Sequence, residues 1–487
     1  MAPHTPEEED GLLRKLAKLF RKNHRVECLD LKEEILLRGG EEIQIRHHGQ
    51  PIQLTLGKKG QELLIVPSGA LDHEACSASA ASSSCFLVVD PERLSDELSG
   101  FLRLEDGGTL LLGRGDAVQQ GLMHYSSAVG RRHLTLVNDR DVLVLKDLGE
   151  DGGTEVGPLR KVKELTRRKQ VRLERLKRLR DLFGGPLEPL EPVRALETIR
   201  EVNALLREEP HRPRNALGEP GGVVLLPHQP TPVIVGDLHA QVDNLLKLFT
   251  ELPLLEGLER RDLRLVILGD AVHSEMDGQM ARMDSSLLMM DLIFRLKLRF
   301  PGQVFYVRGN HDGFFPEVQK GGVLQGILWA REVVTRRGTH YYAEMEKFYD
   351  RLPYVVLSRE FVACHAAPPI ARVTLPLLIN IHQYPGLARE LTWNRLRRPN
   401  HPAGYTASDV KRLRSALDLN PETPFLVSHN PLSRDRSIWF NAGGIPEHHI
   451  VFSGLPHCIG LFTRIRGRLL PLTLPTEPLL ALANRLE

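Results

Sequence analysis

The chain has 487 residues and a formal net charge of +2, which allows two or three domains and gives no general affinity for nucleic acids. Five scattered cysteines without a Cys-x-x-Cys pair argue for free thiols in a reducing compartment and against a disulfide framework. No apolar run approaches the roughly 20 residues of a membrane-spanning helix. The acidic start lacks the features of a secretory signal, so we expect a cytoplasmic protein.

Residues 1–83 are expected to form an N-terminal segment with a helix, strands and a link. The stretch GLLRKLAKLFRK at 11–22 has the spacing of a short amphipathic helix, which is more typical of a packed or docking helix than of a membrane anchor. The stretch ACSASAASSS at 75–84 is a low-complexity link. We therefore place the first domain boundary between residues 83 and 84.

Residues 84–160 contain short alternating apolar runs separated by Gly and Asp turns, a pattern that predicts a small all-β module. Three stretches stand out: LLLGRGD at 110–116, SSAVGRRHLTLV at 126–137 and VLVLKDLGEDGGTEV at 142–156. Their order resembles the forkhead-associated (FHA) domain, which reads GR, then SRxH, then DLxSxNGT. That family folds as a β-sandwich whose loops bind phosphothreonine, so the resemblance implies an FHA-like sandwich.

The same resemblance implies an FHA-like phosphate site. Its basic groups would be Arg114, Arg131 and Arg132. His133 fits the histidine that braces a loop in the family. However, Gly130 stands in place of the phosphate-contacting Ser, and Gly152 stands in place of an Asn. We therefore expect weak or no phosphothreonine binding, and a scaffold or docking role for the sandwich.

Residues 161–222 are expected to be a helical linker. The basic stretch at 160–182 keeps apolar residues at roughly helical spacing, namely Leu165, Leu173, Leu176, Leu179 and Phe183. A solvated helix that joins two domains explains this pattern better than a contact with nucleic acid or an anionic surface. Residues 208–222 then have the Pro/Gly content of a loop.

Five short polar segments follow apolar runs within residues 223–475. They read GDLHA (236–240), GDAVH (269–273), GNHD (309–312), CHAAPP (364–369) and VSHN (427–430). The apolar runs before them have the composition of buried strands. The polar residues then lie at the carboxyl ends of strands, the usual place for a site in an α/β sheet.

These segments supply six potential metal ligands: Asp237, His239, Asp270, Asn310, His365 and His429. Oxygen ligands alone favour calcium or magnesium, whereas imidazole moves the preference to manganese, iron or zinc. Two such ions about 3.5–4 Å apart can polarise a phosphoryl group and generate the hydroxide that attacks it. Gly, Asp and Asn are also common in ordinary turns, but five such segments in order favour a metal site.

The order GDxH, GDxV, GNH[DE], HxxxP and a late His resembles the binuclear metallophosphoesterases. Further segments resemble the phosphoprotein phosphatase (PPP) branch of that family: Arg308 before GNHD, HAAPP at 365–369, LTWN at 391–394 and FSGLPHCIG at 452–460. The resemblance covers residues 223–475, followed by a tail at 476–487. It implies an α/β metallophosphoesterase fold with a β-sandwich core flanked by helices.

The resemblance also implies roles for the six ligands and for one acid. The first metal would be held by Asp237 and His239, the second by Asn310, His365 and His429, and both by Asp270. His311 would donate a proton to the leaving oxygen, a task suited to imidazole near neutral pH.

The chain departs from the PPP pattern after the second segment. There the family continues Asp-Arg-Gly, with an Asp that steadies the catalytic His and an Arg that holds phosphate. This chain has His273, Ser274 and Glu275 instead. Glu275 is one candidate for the orienting role, and His273 is a candidate substrate contact. The remaining candidates for phosphate contacts are Arg308, with a salt bridge as its alternative role, and Arg395, Arg397 or Arg398.

We therefore predict a multidomain protein with an FHA-like sandwich, a helical linker and a metallophosphoesterase domain. The leading function is metal-dependent hydrolysis of phosphoserine and phosphothreonine proteins or small phosphoesters. One alternative is hydrolysis of nucleotides or dinucleoside polyphosphates. Another is a pseudo-phosphatase scaffold that binds phosphorylated partners. A docking protein on the FHA-like domain is expected, but no membrane or nucleic acid.

Overall fold

A computed structural model of the chain describes residues 28–46, 50–58, 60–67, 85–89, 101–115, 125–139, 142–149, 152–159, 162–366, 368–399, 401–434, 436–465 and 467–486. The predicted helix at 11–22 lies outside these ranges, as does the whole Ala/Ser link at 75–84. The chain divides into two compact units, residues 1–173 and 174–487. None of the described helices is long and apolar enough to cross a membrane.

The first unit is built from β-strands in two sheets. The strands are β1 Cys28–Asp30, β2 Ile35–Leu37, β3 Glu42–Arg46, β4 Ile52–Leu56, β5 Gln61–Pro67, β6 Cys85–Val89, β7 Phe101–Glu105, β8 Thr109–Leu112, β9 Leu134–Asp139, β10 Val142–Asp147 and β11 Thr154–Pro158. One sheet has the order β1-β3-β10-β9-β8 and the other β2-β11-β4-β5-β6-β7. Strand β4 shows the alternation of a half-buried strand, with Ile52, Leu54 and Leu56 buried.

The boundary expected at residue 84 does not separate two structures. Strand β3 pairs with β10, with Ile45 opposite Leu143, and β4 pairs with β11, with Leu54 opposite Val156. Strands from before residue 68 therefore complete both sheets. The β-rich character of this region agrees with the prediction, but the unit is larger than residues 84–160.

The second unit combines helices with two further sheets. The helices are α1 Val162–Phe183, of which the part from Glu174 belongs to this unit, α2 Pro192–Arg207, α3 Val242–Glu251, α4 Leu254–Arg260, α5 Asp284–Arg299, α6 Gln325–Asp350, α7 Leu375–Ile379, α8 Pro385–Trp393, α9 Ala407–Ala416 and α10 Leu479–Ala483. The strands are β12 Val223–Leu225, β13 Thr231–Val235, β14 Leu263–Ile267, β15 Val304–Tyr306, β16 Val355–Leu357, β17 Val362–Cys364, β18 Phe425–Val427, β19 Ile438–Trp439, β20 His448–Val451, β21 Cys458–Ile465 and β22 Arg468–Pro475.

The sheet orders explain how distant segments meet. One sheet runs β12-β16-β17-β18-β20-β19 and the other β15-β14-β13-β21-β22. Buried side chains from both sheets form one core, for example Ile234 and Val266 with Val356 and Leu426. Strands β13, β14 and β15 are parallel neighbours, as are β17, β18 and β20. Their carboxyl ends therefore lie at common edges, where the polar segments follow.

The region expected as a linker and tail is largely part of this second unit. Helix α2 packs against α6 and buries an apolar face that includes Ile199 and Val202. At the other end of the chain, Leu480 N donates to Asp243 Oδ1 over 2.7 Å. Both ends of the unit are therefore fixed to its helices.

Candidate metal centre

Tight turns at the strand ends bring the polar segments together. His239, Asp270 and His429 have φ of 43°, 47° and 59°, the left-handed region that side chains enter only when the surrounding structure requires it. Gly269 has φ of 92°, and a Cβ there would lie 2.6 Å from Gly309 N. Glycine at this position therefore lets the second and third loops touch backbone to backbone.

The predicted ligands converge in two buried groups. Ligand atoms of Asp237, His239 and Asp270 lie within 4.8 Å of one another, and those of Asp270, His365 and His429 do the same. Asp270 belongs to both groups. The sixth residue joins the second group, because Asn310 Oδ1 lies 3.0 Å from His365 Nε2.

Hydrogen bonds orient the imidazoles as metal ligands require. His239 Nδ1 lies 3.1 Å from the His273 carbonyl oxygen, and His365 Nδ1 lies 2.7 Å from that of Leu268. Each carbonyl accepts a hydrogen bond from Nδ1–H, which leaves Nε2 as the ligand atom in both rings. His429 Nε2 is buried and has no hydrogen-bond partner among the described residues. This unpaired nitrogen beside carboxylates fits a divalent cation.

Without a metal, the carboxylates favour the protonated form of two of the ligand histidines. Burial opposes a charge on His239, but Glu275, Asp237 and Asp270 raise its pKa to about 9. The pKa of His365 is likewise raised well above its usual value against the effect of burial, by Asp270 and Asp237. By contrast, burial and the neighbouring His365 and Arg395 hold the pKa of His429 well below its usual value. Metal ions and protons therefore compete for the same ring nitrogens.

His311 borders the ligand groups, with its ring centroid 5.2 Å from that of His239, and is paired with a second histidine. Its backbone N donates to Asp270 Oδ1 over 2.7 Å, and its Nδ1 lies 2.9 Å from His273 Nδ1. Burial and His273 hold the pKa of His311 well below its usual value. His273 is fully buried and adjoins His311, so we expect it to support His311 and not to contact a substrate. Glu275, a candidate for that supporting role, instead points to His239, with Oε1 3.6 Å from Nε2.

Asp312 is a supporting residue that was not predicted from the sequence. Its Oδ2 accepts from Gly309 N over 2.7 Å and from Asp270 N over 3.2 Å. Its Oδ1 accepts from Tyr306 Oη over 2.7 Å. A carboxylate directly after the GNH triplet is a sequence signal for such a brace.

Of the candidate phosphate contacts, one faces away and one lies at the site. Arg308 Nη1 donates to Tyr349 O over 2.8 Å and pairs with Asp350 at 3.2 Å, as expected for the salt-bridge alternative. Arg395 Nη1 donates to Asn430 Oδ1 over 2.9 Å. Asn430 directly follows the ligand His429, so Arg395 lies beside the second ligand group.

In the first unit, the three arginines of the predicted phosphate site are exposed, and all three lie between strands β8 and β9. Arg114 Nε donates to the carbonyl oxygen of Val129. His133 is buried, with Nδ1 accepting from Gly130 N over 3.1 Å and Nε2 lying 3.1 Å from Gly153 O. It therefore joins two loops of the unit, whereas Arg131 and Arg132 lie at the surface.

Part of the sequence is similar to known protein phosphatases. Over 100 residues, 19% of this chain, the sequence is 37% identical to the serine/threonine-protein phosphatase 4 catalytic subunit of Eremothecium gossypii and 36% identical to that of Kluyveromyces lactis. The alignment spans 28% of the length of each relative.

Solved structures also resemble the chain at low identity. A protein serine/threonine phosphatase from Saccharomyces cerevisiae, with similarity to human phosphatase PP5, has a TM-score of 0.44 and 18% identity, over 59% of this chain and 91% of that one. A cold-active protein tyrosine phosphatase has a TM-score of 0.36 and 15% identity, over 52% of this chain and 80% of that one.

The family model of the calcineurin-like phosphoesterases matches residues 230–454. This range contains all six residues of the two ligand groups. The C-terminal part of the chain therefore contains a calcineurin-like phosphoesterase domain.

Proposed function

We propose that this protein is a metal-dependent phosphomonoesterase that acts on phosphoserine and phosphothreonine in proteins. The observation that carries the proposal is the position of Asp270, whose carboxylate belongs to both buried ligand groups. A shared carboxylate is what two adjacent cations need. The likeness to phosphatase 4 catalytic subunits supports protein substrates.

The residues divide the chemical work. Asp237 and His239 would hold one cation, Asn310, His365 and His429 the other, and Asp270 both. When bound, the cations supply Lewis-acid polarisation of the phosphoryl group and activation of water. His311 borders this centre and is the group that would protonate the leaving oxygen. The mixture of imidazole and oxygen ligands favours manganese, iron or zinc.

Phosphate release with manganese tests the activity. The purified protein should release phosphate from an aryl phosphate after manganese is added, and from phosphoserine or phosphothreonine peptides. Dinucleoside polyphosphates serve as the comparison substrate. A protein that carries two metal ions but releases no phosphate from any ester would be a scaffold and not an enzyme.

For the first unit, we propose an FHA-like sandwich that docks partner proteins in the cytoplasm. Exposed Arg131 and Arg132, next to the loop-joining His133, support a surface for acidic partners. Gly130 and Gly152 lack the side chains that would contact a phosphopeptide, so affinity for phosphothreonine should be low. Titration of the full chain with a phosphothreonine peptide library, compared with Arg114→Ala, tests this proposal. Tight binding that the substitution abolishes would contradict it.

A further inference from the structure

A lysine from a different loop lies at the rim of the metal centre. Lys320 Nζ donates to Glu275 Oε1 over 2.6 Å, and the same oxygen lies 3.6 Å from His239 Nε2. One carboxylate oxygen therefore stands between the ammonium group and a ligand imidazole. The Lys320 side chain is 38% exposed, whereas that of Glu275 is 20% exposed. The ammonium is thus open to solvent on one side and directed at the centre on the other.

Backbone hydrogen bonds hold the turn that carries Lys320. Lys320 N donates to Val323 O over 3.1 Å, and Val323 N donates to Lys320 O over 2.9 Å. The two intervening glycines have φ of 53° and 81°, the sign that a tight type I′ turn requires at both central positions. Gln325 Nε2 donates to Ser274 O over 2.8 Å. This bond ties the loop to the residue next to Glu275.

A second cation, Arg395, comes from a segment later in the chain. Arg395 is fixed beside the second ligand group by its bond to Asn430. Burial lowers the pKa of Arg395, and the charge of Glu275 acts against that change. Ser274, which stands where the PPP pattern has its arginine, is buried, and its Oγ accepts from Met276 N over 3.2 Å. It offers no positive charge.

We propose that Lys320 and Arg395 together bind the phosphoryl oxygens of the substrate, and that Glu275 positions the Lys320 ammonium for this task. The inference rests on the proposed phosphoesterase function and names the groups that recognise phosphate there. Two cations on separate loops replace one arginine of the second segment. Phosphate contacts of this kind are charge-assisted hydrogen bonds, the stronger class.

The test uses inorganic phosphate and the full-length protein loaded with manganese. Isothermal titration gives the phosphate dissociation constant, and an aryl phosphate gives KM and kcat. Lys320→Gln and Arg395→Gln should each weaken phosphate binding about 10- to 100-fold, the loss expected for one charged hydrogen bond, and should raise KM. Lys320→Arg should retain most of the affinity. Metal content, measured by elemental analysis, should stay that of the parent.

Lys347→Gln is the matched control, because Lys347 Nζ makes a similar ion pair with Glu344 Oε1 at 2.8 Å on the surface of α6. Phosphate affinity equal to that of the parent in a folded, metal-loaded Lys320→Gln or Arg395→Gln protein would overturn the assignment. If one variant does not fold, the other decides. A metal-loaded parent that neither binds phosphate nor hydrolyses esters would instead contradict the proposed function itself.

Discussion

His273 Nδ1 lies 2.9 Å from His311 Nδ1, so the two imidazoles share one hydrogen bond. The PPP pattern has a carboxylate where this chain has His273. A neutral ring cannot stabilise a positive charge on His311 as a carboxylate does. Beside His273, His311 therefore becomes protonated only at a lower pH than it would beside a carboxylate.

Replacing His273 by aspartate should move the pH dependence of the reaction. A negative charge beside His311 raises its pKa, and a general acid works only while it is protonated. The fall of kcat on the alkaline side should therefore shift to higher pH in His273→Asp, measured with an alkyl phosphate. With His273→Gln, which adds no charge, no such shift is expected. An unchanged profile in a folded, metal-loaded aspartate variant would show that His273 does not act through His311.

Substitution of Asp270 should remove metal and activity together. Asparagine matches the shape of aspartate but places a neutral amide in both ligand groups. An amide is a weaker ligand for divalent cations than a carboxylate. Elemental analysis of the parent should give two transition metals per chain, and the variant should contain fewer. Asp284→Asn is the control, because Asp284 is an exposed partner of Arg336. Full metal content and activity in Asp270→Asn would exclude a shared carboxylate.

His311→Ala should affect alkyl phosphates far more than aryl phosphates. The alkoxide leaving group needs a proton, whereas a phenolate leaves with little help. General-acid assistance contributes about 10²–10⁴-fold, so the gap between the two substrates should be of this size. Equal losses with both substrates would assign His311 a structural role.

Metal binding should release protons at neutral pH. The pKa of His239 is raised from 6.5 to about 9, so the metal-free protein holds a proton that a cation must displace. Apparent metal affinity should rise with pH between 6.5 and 9. In the metal-free protein the raised pKa stabilises the fold below pH 6.5, and this stabilisation is lost as pH rises through about 9. Isothermal titration in buffers of different ionisation enthalpy measures the released protons. If metal binding released no protons at pH 7, His239 would not be protonated in the metal-free protein.

A chain shortened to begin at residue 84 should lose the fold of the first unit. Strands β1 to β5 would be missing, β1 and β3 from one sheet and β2, β4 and β5 from the other, which removes one neighbour of β10 and both neighbours of β11. Circular dichroism of the shortened chain should show less strand content than the removal of these residues alone explains. A native-like spectrum would show that the later strands fold without the earlier ones.

The candidate metal ligands could be identified from the sequence because each of their segments is local. A strand, a glycine and a polar residue stand next to one another in sequence, and Asp237 or His365 can be identified without tertiary information. The boundary at residue 84 was not predictable in this way, since the pairing of Ile45 with Leu143 joins positions about one hundred residues apart. Lys320 was missed because its turn carries no motif, and only the fold brings it to Glu275.

The brace made by Asp312 has a consequence for the metal itself. Its carboxylate joins the Asp270 loop to the Gly309 loop through bonds that involve no ion. The arrangement of these two loops should therefore stay the same when a cation leaves. Exchange of one transition metal for another then requires no refolding, so the ion found in the protein would follow the supply of metals in the cell.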